Sequence, residues 1–568
     1  MNRKSGGALA VGVALALALV LGAFLFWPLA ESLRGAFVDI GGHPTLGFVT
    51  LVFQNPVYVE GFVNSLAVAT VSTALAGTAG LGLAIALERF DFPGRRALSA
   101  LVPLPLIVPP FVGAIGIKQL LGPFGALNAL LIHLRLEDSA HPIDWLRSGR
   151  FWAVVLLTAL HLYPVVFFNA TAALSNVNPE MEEAAQSLGA GPIGRLFKVT
   201  LPLIFPSVFA ALTIVFIWGL TELGVPLICD YTRVTSVQIF AGLKDINRSP
   251  FVYALVAVVL AATASLYALA RVSFGRTRMA LATKGSGRRA ARALSGWRGL
   301  ACTAAVAAVL ALAALPNISV VLVAFSDDWY RSVLPTSLTL RHFQAALGHA
   351  MVVPSIANSL RYVTLSTSLD MILGVAIAVL VVRRRSRLGN VIDAAAMIPL
   401  AVPGLVLAFG YLAISREGRP LSFLNPARDP TALLIAAYAI RRLPFVVRAV
   451  AAGLQQVAVV LEEAAESLGA NAWRTFFRVT LPLLGPHLLA GGIFAFALSM
   501  MEVSDSIILA QKQTTFPITK AIYELFQLLG DGRAVAAALG VWAMVFLGVA
   551  VGAARSALGE RMGNMFRV

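Results

Sequence analysis

Ten stretches of this 568-residue chain run for more than twenty residues without an Asp, Glu, Lys or Arg. A helix needs about 20 apolar residues to cross the roughly 30 Å core of a bilayer, so each stretch predicts a membrane-spanning helix. The ten lie at residues 8–30, 61–87, 97–117, 151–179, 199–221, 249–270, 299–326, 394–415, 479–501 and 534–554. Two more, 356–382 and 430–454, are interrupted by charges. The sequence predicts an all-α integral membrane protein with about twelve transmembrane helices.

Composition agrees with this class of protein. The chain is 58% hydrophobic and 13% charged, which is too little polar surface for a soluble globule. Its net charge of +16 is spread singly between apolar stretches, so binding of nucleic acid is not indicated. Cys229 and Cys302 lack metal-ligand spacing, and we expect neither a disulfide framework nor a metal site.

Charge placement predicts how the chain is oriented. Arg3 and Lys4 precede the first stretch as in a signal peptide, but no small-x-small cleavage site follows, which indicates an uncleaved first helix. Twelve spans with a cytoplasmic N-terminus place the Lys/Arg excess inside, as the positive-inside rule requires. Residues 271–298 contribute most, with eight basic residues and no acid. We expect a multi-pass protein of a bacterial plasma (inner) membrane with both termini in the cytoplasm.

The chain contains an internal repeat. Residues 182–206 and 462–486 are identical at 15 of 25 positions, at an offset of 280. Earlier positions match at an offset of 294, namely Asn64 with Asn358, Pro105 with Pro399, Pro109 with Pro403 and Gly116 with Gly410. Both copies thread in the same direction, which predicts two homologous six-helix halves about a pseudo-two-fold axis along the membrane normal.

The repeat also predicts segment boundaries. They are a first transmembrane helix and external loop at 1–60, the first half at 61–270, a basic cytoplasmic linker at 271–298, a seventh helix and external loop at 299–354, the second half at 355–555, and a cytoplasmic tail at 556–568.

Each repeated segment lies in a loop between the fourth and fifth helices of its half. Acids at its start complement a helix dipole, and Gly189 or Gly469 then ends or bends the helix. A Leu-Pro pair restarts the chain into the next span. An amphipathic surface helix without a partner is the alternative, but two near-identical copies on one side favour a binding function.

The loops have a recognisable pattern: Glu-Ala-Ala, three residues, Gly, nine residues, an aliphatic residue, one residue, Leu-Pro. This pattern is similar to the signature loop of ABC importer permeases, with Val199 and Val479 where that family often has Ile. The resemblance implies that both loops are coupling helices that dock on ATPase subunits. The coupling residues are then Glu182, Glu183, Ala184, Ala185, Gly189, Leu201 and Pro202 in the first loop, and Glu462, Glu463, Ala464, Ala465, Gly469, Leu481 and Pro482 in the second.

The resemblance implies a type I ABC importer fold, fused as in ferric-iron, thiamine and aminophosphonate permeases. Its partners would be the lipid bilayer, two copies of an ABC ATPase and an external solute-binding protein. The chain has no GxxxxGK[ST] phosphate loop, so ATP-Mg is expected on the partner subunits, with no cofactor and no catalytic residue here. A secondary transporter driven by an ion gradient is the main alternative. An exporter and an integral-membrane enzyme are disfavoured.

Ionisable residues within the spans are candidates for the substrate pathway. Glu222 and Glu502, with Asp505 nearby, suggest a gate or a path for a cation, or else residues solvated at helix ends. Arg441 and Arg442, with His161 at the position equivalent to Arg441, suggest a cavity for an anion, or else structural pairing with Asp370 or snorkelling. The cargo classes left open are ferric iron, phosphonate or another phosphate-bearing compound, thiamine and polyamines.

Overall fold

The computed structural model describes residues 3–39, 41–138, 141–243, 250–274, 291–384 and 386–558. The predicted basic linker lies partly outside the described residues, as does most of the predicted tail. The predicted segment boundaries as a whole remain predictions.

Helices account for nearly all of the described first half. They are α1 Arg3–Leu21, a π-helix Gly22–Phe26, α2 Trp27–Phe37, α3 Gly47–Gln54, α4 Pro56–Arg89, α5 Arg95–Leu101, α6 Leu104–Ile107, α7 Pro110–Leu121, α8 Ala126–His133, α9 Trp145–Ser175, α10 Pro179–Ser187, α11 Pro192–Arg195, a π-helix Leu196–Thr200, α12 Leu201–Leu220, α13 Gly224–Ile228, α14 Thr235–Gly242 and α15 Pro250–Phe274.

The second half repeats this order. Its helices are α16 Trp297–Phe325, α17 Arg341–Gly348, α18 Val352–Val382, α19 Arg387–Met397, a 3₁₀-helix Ile398–Leu400, α20 Gly404–Ile414, a 3₁₀-helix Ser422–Leu424, α21 Thr431–Gln456, α22 Val459–Ser467, α23 Ala472–Thr475, a π-helix Phe476–Thr480, α24 Leu481–Met500, α25 Ser504–Leu509, a 3₁₀-helix Gln513–Thr515, α26 Ile518–Gln527 and α27 Gly532–Leu558.

Four short strands form two small pairs. Strand β1 (Phe90–Asp91) pairs in parallel with β2 (Arg292–Ala293), and β3 (Ser326–Asp328) pairs antiparallel with β4 (Ser337–Leu338). The first pair joins the end of α4 to the chain that leads into α16.

Ten helices among the described residues are long and apolar enough to cross a membrane, or up to twelve if each of two sharply bent helix pairs counts as one span. This agrees with the predicted all-helical membrane class. Neither residues 97–117 nor residues 394–415 form one continuous helix. The first is divided among α5, α6 and α7, and α20 turns by 106° from the helix before it. Prolines at the breaks, including Pro109 and Pro403, remove backbone donors and favour such breaks.

The leading helix of each half crosses to the other half. Helix α2 packs on α20, and α16 packs on α7. The crossings use the repeat-matched glycines Gly116 and Gly410, because a Cβ on either would lie 2.6 Å from a carbonyl oxygen of the crossing helix, that of Pro316 or Pro28. Only glycine allows backbones to approach this closely. The largest apolar core accordingly contains residues of both halves.

Candidate functional site

Each repeated loop contains a short helix, α10 or α22, that ends at a glycine. Gly189 has φ +84° and Gly469 has φ +87°, the left-handed conformation that glycine adopts at low cost. The following residue, Ala190 or Ala470, donates a backbone hydrogen bond of 3.0 Å to the carbonyl five residues earlier. This closes both helices in the same way. The predicted short helices and their glycine ends are therefore confirmed.

The leading glutamate of the first loop points inward. Glu182 is only 4% exposed and accepts hydrogen bonds from the Arg89 guanidinium and the Thr200 hydroxyl. Arg89 ends α4 and also donates to Thr200 Oγ1 at 2.7 Å. We call these three residues the first loop latch, because they tie α10 to the end of α4 and to the start of α12.

The second loop has an equivalent latch. Arg383 Nε donates to Glu462 at 3.1 Å, and the Thr480 hydroxyl donates to the same carboxylate at 3.0 Å. Arg383 matches Arg89 at the offset of 294. Sequence reasoning missed both arginines, although this match at the ends of two apolar stretches was the signal that could have found them. Glu182 and Glu462 were predicted as coupling residues, and the structure shows them shaping the loops.

The outer faces of the loops match position by position. In both copies the second glutamate, the first alanine and the proline of the pattern are exposed, namely Glu183, Ala184 and Pro202 in the first loop and Glu463, Ala464 and Pro482 in the second. The second alanine and the leucine are half-buried, namely Ala185 and Leu201 in the first loop and Ala465 and Leu481 in the second. Leu188 and Leu468, just before the glycines, are 89% and 90% exposed. Each loop thus exposes a large apolar side chain at the same position of the repeat.

A buried charge cluster of four residues lies where α21 meets α24 and α25. Arg441 contacts Glu502 at 2.5 Å and Asp505 at 3.1 Å. Arg442 donates to Glu502 at 2.5 Å and to the Leu498 carbonyl at 3.0 Å. Buried charges are stable only when they are paired in this way. The sequence suggested the two arginines for an anion and the two acids for a cation. In the structure the arginines and the acids instead neutralise one another.

Glu222 and Glu502 have the same local role in the two halves. Glu222 accepts backbone N–H bonds from Gly224 at 3.0 Å and Val225 at 3.2 Å, which caps α13. Glu502 accepts the N–H of Ser504 at 3.2 Å at the start of α25. Among the described residues, Glu502 binds arginines and Glu222 does not, because the first half has His161 and Leu162 at the positions of Arg441 and Arg442.

A cavity of about 130 Å³, the central cavity, lies between the halves. Five of the six predicted pathway residues line it, namely His161, Glu222, Arg441, Arg442 and Glu502, and Asp505 contacts it through Arg441. His161 Nδ1 is 2.8 Å from the Pro105 carbonyl oxygen at the broken third helix. The structure therefore brings the predicted residues of both halves to one place.

Asp370 does not pair with the arginines as one alternative held. Its carboxylate is fully buried, and neither oxygen has a hydrogen-bond partner among the described residues, although it interacts electrostatically with Arg442. Within the same described part of the chain, no group of three or more His, Cys, Asp or Glu residues could hold a metal ion.

Two matched six-helix halves, crossed leading helices and paired loops on one face define a membrane transport component. The chain belongs to the family of binding-protein-dependent transport system inner membrane components, whose model matches residues 78–279 and 370–562. It is therefore a multi-pass membrane protein and the permease subunit of an ABC importer.

The curated relatives are permeases. The putative ferric transport system permease protein FbpB 1 of Haemophilus influenzae is 27% identical over 83% of this chain and 72% of its own length. The ferric permease FbpB of Actinobacillus pleuropneumoniae is 25% identical over 90% of this chain and 74% of its own length. The sulfate permease CysT of Salmonella typhimurium is 31% identical over 37% of this chain and 75% of its own length.

Among solved structures, a bacterial ABC transporter involved in the import of the acidic polysaccharide alginate is similar to part of the chain. It has 20% sequence identity and a TM-score of 0.39, covering 48% of this chain and 96% of that chain.

Proposed function

We propose that this chain passes a small charged solute through the central cavity, driven by a separate ATPase that docks on the two repeated loops. The observation that carries the proposal is the matched pair of loops. Two loops with the same fold, the same latch and the same exposed leucine suit two copies of one partner.

The loops can transmit force because each is fixed to spanning helices. A latch joins each short helix to the end of one span and the start of another, by charge-assisted hydrogen bonds. A partner that moves α10 would therefore also move α4 and α12. Two ATPases closing on ATP would move both halves together, which is the rigid-body motion that alternating access requires.

The loop face is proposed to be cytoplasmic. Strand β2 lies near the end of the basic linker and pairs with β1 immediately after Arg89, so this part of the linker and the first loop lie on the same face. Because Lys and Arg concentrate on the cytoplasmic side, this face and both termini are assigned there. The opposite face would receive a solute-binding protein outside the membrane.

The central cavity is the proposed pathway. Both halves line it, and rocking of one half against the other would change its access to either side. Its arginines are already paired with acids, so a charged solute would have to exchange with an existing ion pair. The structure thereby favours a transient contact over a resident site.

Ferric iron is the cargo we propose to test first, because the relatives that match most of this chain are named as ferric permeases. The carboxylates of Glu222 and Glu502 are hard oxygen ligands of the kind that ferric ion prefers. A sulfate or phosphonate cargo would instead displace Glu502 from Arg441 and Arg442.

The test is reconstitution of this chain with an ABC ATPase and a solute-binding protein from the same organism. The proposal predicts ATP-dependent uptake of labelled iron into proteoliposomes and thermal stabilisation of the binding protein by ferric ion. Stabilisation of the binding protein by sulfate or a phosphonate would identify that anion as the cargo instead of iron. Uptake driven by an ion gradient without ATP would contradict the proposal.

A further inference from the structure

A second cavity, of about 360 Å³, lies on the face opposite the repeated loops. It is formed by the end of α7, the start of α9 and the start of α27, with Trp329 and Tyr330 after α16. The first half supplies α7 and α9 and the second half supplies α27. We call it the opposite-face cavity.

Basic residues dominate the lining of this cavity. Lys118, Arg147, Arg150 and Arg533 line it, against two acids, Asp144 and Asp230. Lys118 Nζ already binds Asp230 at 2.5 Å. Because the other three basic residues outnumber the one remaining acid, the cavity has a net positive charge.

The three arginines keep their donors available. Asp144 accepts the backbone N–H groups of Leu146 and Arg147, so its Oδ1 caps α9. Within the described part of the chain, no ion pair or side-chain hydrogen bond joins the guanidinium of Arg147, Arg150 or Arg533 to another residue. Guanidiniums that converge on a cavity without protein acceptors are suited to an external anion.

The repeat shows that the fold does not require these charges. At the equivalent positions of the other half, Lys118 is replaced by Leu412, and Asp230 by Ala510. Arg533 matches Tyr253 in the first half. The same architecture therefore forms elsewhere in the molecule without these charges.

The walls of the cavity are held in place. Gln119 Nε2 donates to the Trp329 carbonyl at 2.5 Å, and Arg331 N donates to the Phe124 carbonyl at 3.1 Å. The rings of Phe124 and Tyr330 are packed with centroids 5.1 Å apart. The turn after α7 is thus fixed to the segment after α16, which makes this a preformed site.

We propose that the opposite-face cavity binds a small anionic group, such as a phosphate, sulfate or carboxylate of a solute. Its volume of about 360 Å³ is large enough to hold such a group. Pro110 lines the central cavity and Lys118 lines this one, about 12 Å further along α7 by helix rise. The anion site thus lies on the approach to the pathway, and its existence depends neither on the cargo nor on the ATPase.

The test uses the full chain in nanodiscs of zwitterionic lipid, titrated with inorganic phosphate at constant ionic strength in a calorimeter. Saturable binding is expected. Arg150→Gln and Arg533→Gln should each weaken it about tenfold, because each removes a charge-assisted hydrogen bond. Arg428→Gln removes an exposed arginine outside the cavity and should leave binding unchanged.

Absence of phosphate binding by the wild type, or equal affinity in the cavity variants, would overturn the proposal. Arg533 is exposed, so its variant decides the matter even if Arg150→Gln fails to fold. Nanodiscs with phosphatidylglycerol separate the two sources of such a group. Competition with phosphate would identify a lipid headgroup as the ligand, and unchanged phosphate binding would identify a free solute.

Discussion

Gly189 and Gly469 show how single residues determine the shape of the repeated loops. Both have positive φ, and a Cβ at either would meet open space, so any effect of substitution comes from backbone strain and not from a clash. The neighbouring Gly191 has an ordinary φ of −66° and equally open surroundings. The chain therefore contains its own control position.

Gly189→Ala should strain the end of α10 by about 1 kcal/mol, the cost of a left-handed conformation for a residue with a Cβ. We expect weaker co-purification of the ATPase and less uptake per ATP hydrolysed, with normal expression of the chain. Gly191→Ala should behave as wild type. Equal coupling in the two variants would show that the glycine end does not matter.

Arg442→Leu introduces the residue that the first half has at this position, Leu162. It removes one of two partners of the buried Glu502, and breaking a buried ion pair typically costs about 3–5 kcal/mol. We expect a lower unfolding temperature in detergent. Adding Asp370→Ala, which introduces the residue that the first half has at this position, Ala76, should restore part of the stability. Arg442 interacts electrostatically with Asp370, and without Arg442 this buried acid would have no nearby cation. A single variant as stable as wild type would refute this account of the cluster.

At the scale of elements, the loop latches connect the short helices to the spans. Arg89 and Arg383 occupy equivalent positions, but the side chain of Glu182 is 5% exposed and that of Glu462 is 19% exposed. The first latch should therefore contribute more to stability than the second latch does.

Arg89→Gln should lower the free energy of unfolding by about 2 kcal/mol, because it leaves the buried carboxylate of Glu182 without its charged partner. Arg383→Gln should lower it by less. We expect both variants to hydrolyse ATP in the assembled complex with reduced uptake. The ratio of solute uptake to ATP hydrolysis measures this loss of coupling. A larger effect of Arg383→Gln would contradict the argument from burial.

The close crossings of the leading helices can be tested by overpacking them. Gly410→Val would place side-chain atoms against the Pro28 carbonyl, and overpacking of this kind costs about 1–3 kcal/mol. Gly12→Val, where a Cβ meets nothing within 4 Å, is the matched control. Thermal unfolding should separate the two variants, and an unchanged Gly410→Val protein would argue against the close crossing.

At the scale of the whole molecule, the crossed helices join the two halves independently of the linker. A protease site inserted within residues 271–298 should therefore yield two fragments that still co-purify after cleavage. Separation of the fragments in mild detergent would show that the contacts of α2 with α20 and of α16 with α7 are too weak to hold the halves together.

The sequence predicted the helical membrane class and both loops, because long apolar stretches and a 25-residue repeat are local patterns. It did not predict the crossings or the latches, since these join residues far apart, such as Arg89 and Glu182. The breaks at Pro109 and Pro403 were missed because a count of charges does not register proline. The glutamates and arginines of the pathway were predicted as opposing alternatives, and their pairing was not predicted because it depends on side-chain geometry across separate helices.

Docking of the ATPase on the two repeated loops is tested most directly by photo-crosslinking from positions 188 and 468. Both leucines are about nine-tenths exposed on the loop face, whereas Leu529 is 98% exposed on the opposite face. If the two loops bind the ATPase, both loop positions will crosslink to it and position 529 will not. Crosslinks from position 529 alone, or from neither loop, would contradict this docking.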